Sequence, residues 1–142
     1  MKAISDLVKG REILAVTSGQ LVTDAVDFMV QHHIGAVPVL RFGELVGIFS
    51  ERDLMVRVVA ENRDARTTLV DVVMTPSPLS VSPDTSIEEC MVLMKAHGFR
   101  HLPICNGRTL AGMISLRDLL LHNVEEKDVE VRMMRAYIQQ AG

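Results

Sequence analysis

No two Lys or Arg residues are adjacent anywhere in this 142-residue chain, and the net charge is −3, so nothing in it offers an electrostatic footprint for nucleic acid or an anionic membrane. No stretch reaches the roughly 18 apolar residues of a membrane-spanning helix, and the opening MKAISDLVKG lacks the apolar core of a signal peptide. A cytoplasmic protein is expected. Cysteine is scarce. Cys90 falls on an apolar helical stripe and Cys105 ends a strand-like run, so both read as reduced, buried thiols. Catalytic machinery is missing too: no nucleophile stands with a base partner, no metal ligands are suitably spaced, and no Gly-rich phosphate loop occurs. Neither an enzyme nor a metal protein is expected.

What the chain does have, it has twice. GIFSERDLMVR from Gly47 returns as GMISLRDLLLH from Gly112, and subtracting 65 carries Asp71 to Asp6, Met94 to Met29, Pro103 to Pro38 and Asp118 to Asp53. That period exceeds the usual solenoid units, which favours duplication of a small α/β domain. The expected division is a first repeat over 1–62, a linker over 63–68 within the polar ENRDARTT, a second repeat over 69–124 and a helical tail over 125–142.

The same signals recur in order within each copy. In the second, Val81 opens a short strand, and Thr85 with Glu88 or Ser86 with Glu89 offers a capping box. Ile87, Cys90, Met91 and Met94 follow on one helical face, which Gly98 is placed to end. His101 to Cys105 and Thr109 to Ile114 read as a hairpin about Asn106-Gly107, with a last helix from near Ser115. The first copy repeats this, with Val22, Ala25, Val26 and Met29 on the helix and Phe42-Gly43 in the turn. Each copy is β-α-β-β-α.

Ser50 with Asp53, and Ser115 with Asp118, satisfy the capping-box pattern and could simply cap two helices. Arg52 and Arg117 argue for more. A cation in the first turn faces the positive end of the helix dipole, an unfavourable place unless an anion belongs there. Backbone N–H groups, a Ser hydroxyl and an Arg fork make a competent phosphate site, and an acceptor-only Asp suits paired ribose hydroxyls.

The helix, the Val37-Pro38-Val39 and Leu102-Pro103-Ile104 strands, the turn and Gly-x-x-Ser-x-x-Asp-Leu, present twice and joined by VVMTPSPLSVSPDTSI, resemble a tandem pair of CBS domains, the Bateman module, over about residues 1 to 124. The resemblance implies an α/β fold of two repeats packed with pseudo-two-fold symmetry, dimerised through helical faces. It also implies an adenine nucleotide (AMP, ADP, ATP or NAD(H)) in the cleft between repeats. Carried over, Asp53 and Asp118 hold ribose, Ser50, Arg52, Ser115 and Arg117 lie near phosphate, and Ile48 and Met113 flank the base. Gly35 and Ala36 in one copy, Arg100 and His101 in the other, and Thr75 on the bridge complete the set. Because Arg100 and His101 bring charge where Gly35 and Ala36 bring room, the Asp118 site is expected to bind phosphate better. S-adenosylmethionine shares the adenosine but not the phosphate.

Other residues read as structural. His32 and His97 end helices, where a cation suits the dipole, His33 and His122 carry no pattern, and Met29, Met91 and Met94 belong to core stripes. In the tail, Val131, Met134, Tyr137 and Ile138 form an apolar stripe that either docks on its own module or meets another subunit. The chain therefore reads as a regulatory nucleotide-binding module acting as a homodimer. Its rival is a ligand-free structural adaptor whose helices bind an effector protein.

Overall fold

The computed structural model describes residues 2–141. The first copy runs through α1 (Ile4–Val8), β1 (Val16–Thr17), α2 (Val22–His32), β2 (Ala36–Arg41), β3 (Glu44–Ser50) and α3 (Glu51–Asp53), which continues as a π-helix over Leu54–Val59. The second runs through α4 (Val70–Val73), β4 (Thr75–Pro76), α5 (Ile87–His97), β5 (His101–Asn106), β6 (Thr109–Ser115) and α6 (Leu116–Ala141). Val81 pairs in parallel with Ile104 in the second copy just as Val16 pairs with Val39 in the first. The hairpins match residue for residue, down to an irregularity after Val39 in one and after Ile104 in the other.

The two copies share one six-stranded sheet in the order β1-β2-β3-β6-β5, with β4 also on β3. They meet at the hairpin ends, where Glu44 faces Thr109 and the Leu45 N–H donates to Arg108 O (3.0 Å). The result is a mixed α/β fold of two repeats about a pseudo-two-fold axis. The first turn is Phe42-Gly43, as expected. In the second, Asn106 remains in the strand and the turn moves one residue on to Gly107-Arg108, Gly107 taking the left-handed conformation (φ 61°).

The opening helices α1 and α4 are absent from the sequence reading, because elements of 5 and 4 residues are too short to show a helical period. They exchange places. Val70 and Val73 of α4 are buried in the core of the first copy with Val22, Met29 and Phe49, while Ile4 of α1 is buried in the core of the second with Ile87, Leu102 and Ile114. Backbone bonds fix both exchanges: the Val70 N–H donates to Gln20 O (2.8 Å) and the Ile4 N–H to Thr85 O (2.7 Å). Asp71 secures α4 further by accepting from the Ser18 hydroxyl and the Gly19 N–H. Burial opposes its ionisation, but these bonds outweigh it and hold its pKa below the ordinary value.

Capping is settled in favour of Ser86 with Glu89: the Glu89 N–H donates to Ser86 Oγ (3.1 Å). Gly98 ends α5 at φ 69°, and His33 does the same for α2 at φ 55°, a conformation that favours glycine. Cys90 and Cys105 are buried free thiols, and burial pushes Cys90 up to about 11. His32 packs its ring against Phe28 and His97 stacks on Phe99. Among the described residues, no helix is long and apolar enough to cross a membrane.

The tail is no separate element. α6 runs unbroken from Leu116 through it, with Asp128 and Arg132 paired at 2.7 Å. Its apolar stripe does not dock on its own module: Val131, Met134, Tyr137 and Ile138 are all exposed.

Candidate functional site

The first residues of β2 and β5, the end of β6 and the start of α6 converge with segment 11–14 on a cleft of about 390 Å³. Asp118 sits there in the first turn of α6 as half of a complete capping box. Its N–H donates to Ser115 Oγ (3.0 Å), and its Oδ2 accepts the Ser115 N–H (3.0 Å). It also carries a second partner from far along the chain. Arg11 lays both terminal nitrogens on the carboxylate, Nη1 on Oδ2 and Nη2 on Oδ1, each at 3.1 Å. Burial works against ionisation of Asp118, but the Arg11 and Ser115 bonds prevail and keep its pKa below the usual carboxylate value.

Of the residues singled out by sequence, the cleft brings together Gly35, Ala36, His101, Met113, Ser115, Arg117 and Asp118. Arg11, Glu12 and His33 line it too, and sequence reasoning missed them. His33 left a readable signal, since the 65-residue shift pairs it with Gly98 and so puts a side chain where the other copy has none. Arg11 left none, because its counterpart under the same shift is Pro76. Arg100 is not among the lining residues. It precedes β5, exposed, with its carbonyl accepting the Leu116 N–H (2.8 Å).

Burial lowers the pKa of His101. Asp118 and Glu51 pull the other way, Arg100 adds to the fall, and burial wins, so the ring is neutral at neutral pH. A depressed folded pKa means that the unfolded chain binds the proton first. His101 therefore contributes stability that is full above its unfolded value of about 6.5 and is lost as pH falls through the folded pKa. The melting temperature of His101→Gln should accordingly fall less than that of the wild type between neutral pH and the acidic range. Equal slopes by calorimetry would contradict this.

The remaining candidates, Ile48, Ser50, Arg52, Asp53 and Thr75, lie around the equivalent place in the first copy, which is built differently. Asp53 makes the same capping box with Ser50 (3.0 and 3.2 Å), but it is buried, with Thr75 Oγ1 at 3.5 Å and Arg57 Nε at 3.7 Å from Oδ1. Strand β4 pairs with β3 there, placing Thr75 opposite Ile48 and Pro76 opposite Gly47. The Met74 side chain lies so close over Gly47 that a Cβ on that glycine would sit 2.3 Å from Sδ. The matching residues of the second copy, Gly10 and Arg11, form no strand. One place is a cleft lined by Arg11 and Arg117; the other is covered by Met74 and β4 over a buried Asp53. Among the described residues, no three His, Cys, Asp or Glu side chains are grouped to hold a metal ion.

The family model described as CBS domain matches this chain twice, over residues 4–60 and 69–125. The chain belongs to the CBS-domain family. Among CBS relatives, CBSX3 of Arabidopsis thaliana, named as mitochondrial, is 33% identical over 147 residues, covering 96% of this chain and 71% of that protein. A solved CBS-domain protein from Burkholderia ambifaria superposes with a TM-score of 0.82 at 36% identity, over 87% of this chain and 95% of its own. The structure of CBSX2 in complex with AMP gives a TM-score of 0.77 at 25% identity, over 89% and 99% of the two chains.

Proposed function

We propose that this protein is a cytoplasmic regulatory module, without catalysis of its own, that binds a phosphorylated adenine nucleotide in the Asp118 cleft. The observation that carries this is the position of Asp118, in the first turn of the long helix α6 and facing a cleft that Arg11, Arg117, His33 and His101 also line. The carboxylate suits the two ribose hydroxyls, and the helix N-terminus with Ser115 and Arg117 suits phosphate. Met113, Gly35 and Ala36 leave an apolar, open wall for the base. CBSX2, which shares the fold, is solved with AMP, and AMP is the first ligand to test.

In this reading the first-copy set, Ile48, Ser50, Arg52, Asp53 and Thr75, together with the outlying Arg100, is structural, because β4 and the Met74 side chain cover Gly47 and Ile48 there and Asp53 is buried. Regulation is by linkage: the nucleotide favours one arrangement of the repeats, and a partner protein reads that arrangement. The protein acts as a homodimer, a second copy covering Met55 and Val59 on one helix and Leu120 and Leu121 on the other, all of them exposed. The adaptor reading retains one observation in its favour, the uncovered apolar side chains at the end of α6.

A thermal-shift panel of AMP, ADP, ATP, NAD(H) and S-adenosylmethionine, run on protein whose mass is measured by light scattering, tests these points together. A ligand at a hundred times its Kd adds about 2.7 kcal/mol, a rise of several degrees in a domain of this size. The expected result is a two-chain mass and a rise with at least one phosphorylated ligand. A flat panel at millimolar ligand would favour the adaptor, and a one-chain mass would remove the dimer.

A further inference from the structure

We infer that Arg11 is the residue that makes the cleft select phosphorylated over unphosphorylated adenosine, by occupying Asp118 until a phosphate draws it away. The inference rests on the nucleotide reading of the cleft. It begins with the acceptor capacity of one side chain. A carboxylate offers about four lone-pair positions. In Asp118 three are taken: the Ser115 N–H and Arg11 Nη1 share Oδ2, and Arg11 Nη2 uses Oδ1. A ribose diol needs two positions, and one is free. The Ser115 bond belongs to the cap that starts α6, so the partner able to yield is Arg11.

Arg11 is suited to yielding. Its side chain is 49% exposed, against 23% for Asp118, it belongs to no helix or strand, and it lines the same cleft. Once displaced, its charge needs another anion. A nucleotide supplies one in its phosphate, so the ion pair that is lost is replaced by another with the same fork geometry. Adenosine supplies none, and its ribose must compete with the guanidinium for Asp118 at a net loss of one charge-assisted pair. The other copy cannot do this. Pro76 stands in the place of Arg11, and Arg57, 3.7 Å from Asp53 on the same helix, donates instead to the Met74 carbonyl (2.8 Å).

Isothermal titration of AMP and adenosine into wild type, Arg11→Ala and Arg11→Lys tests the inference. Arg11→Ala is expected to bind AMP about ten-fold more weakly and adenosine several-fold more tightly, collapsing the preference between them by well over ten-fold. Arg11→Lys keeps the charge without the fork. It should gain affinity for adenosine while losing little for AMP. Melting curves without ligand confirm that both variants are folded. Wild type that binds neither ligand would overturn the nucleotide reading and this inference with it. Wild type that binds AMP, with a preference over adenosine that is unchanged in Arg11→Ala, would overturn the role of Arg11 alone.

Discussion

Asp118→Ala will bind AMP at least about ten-fold more weakly than the wild type, as measured by calorimetry at neutral pH, because a carboxylate that clamps two ribose hydroxyls loses about 1.5 to 3 kcal/mol for each charge-assisted bond removed. Asp118→Asn should fall nearly as far, since an amide is uncharged and puts a donor NH2 where the carboxylate has its second acceptor oxygen. The capping box demands a control. Melting without ligand is the first: Asp118→Ala removes the oxygen that accepts the Ser115 N–H but leaves the Asp118 N–H its bond to Ser115 Oγ, and a weakened cap costs up to about 1 kcal/mol of stability whether or not ligand is present. Asp53→Ala supplies a second control from the first copy, where the carboxylate is buried among Ser50, Thr75 and Arg57; it should lower stability and leave AMP affinity close to that of the wild type. Should Asp118→Ala retain full affinity and merely melt earlier, the repeated Ser-x-Arg-Asp is a helix cap and nothing more.

Ile4→Ala will destabilise the protein by about 2 to 4 kcal/mol, a large effect for a side chain so near the start of the chain. Ile4 is fully buried, and the core it fills is that of the second copy. Truncation there opens a cavity lined by residues that cannot collapse onto it without moving β5 and α5. Denaturant unfolding should show the lower midpoint with an unchanged slope. Leu7→Ala, on the same helix but only partly buried, should cost less. A loss below about 0.5 kcal/mol for Ile4→Ala would mean that α1 is not seated as described.

Much of the fold was legible because its signals are local. The helix stripes of α2 and α5, the two hairpins, the Ser86 cap and both Ser-x-x-Asp boxes lie within a few residues of themselves, and the duplication let each copy check the other. What stayed hidden was long-range. Nothing near Val70 says that it belongs under Phe49, and nothing near Arg11 points to Asp118. The two sites differ in sequence at Gly35-Ala36 against Arg100-His101, but their structural difference comes through Met74, Arg57 and β4, which lie outside the motif. The tail reads as separate from the second repeat because the family resemblance ends near residue 124 and a new apolar stripe follows. No glycine or proline lies between Leu116 and Ala141, and the helix had no reason to stop.

The exchanged opening helices also set the order in which a nascent chain can finish folding. The first copy leaves the ribosome with its helix, hairpin and π-helical turn complete, yet its core still lacks Val70 and Val73, which are made later. Until they emerge, the apolar side chains beneath Phe49 remain open to water and to chaperones. The second copy meets no such delay, because Ile4 is already waiting when Ile87 and Leu102 appear. Such non-local closure slows folding, and it also ties the halves together: neither can be cut away, or melt, without taking a piece of the other's interior.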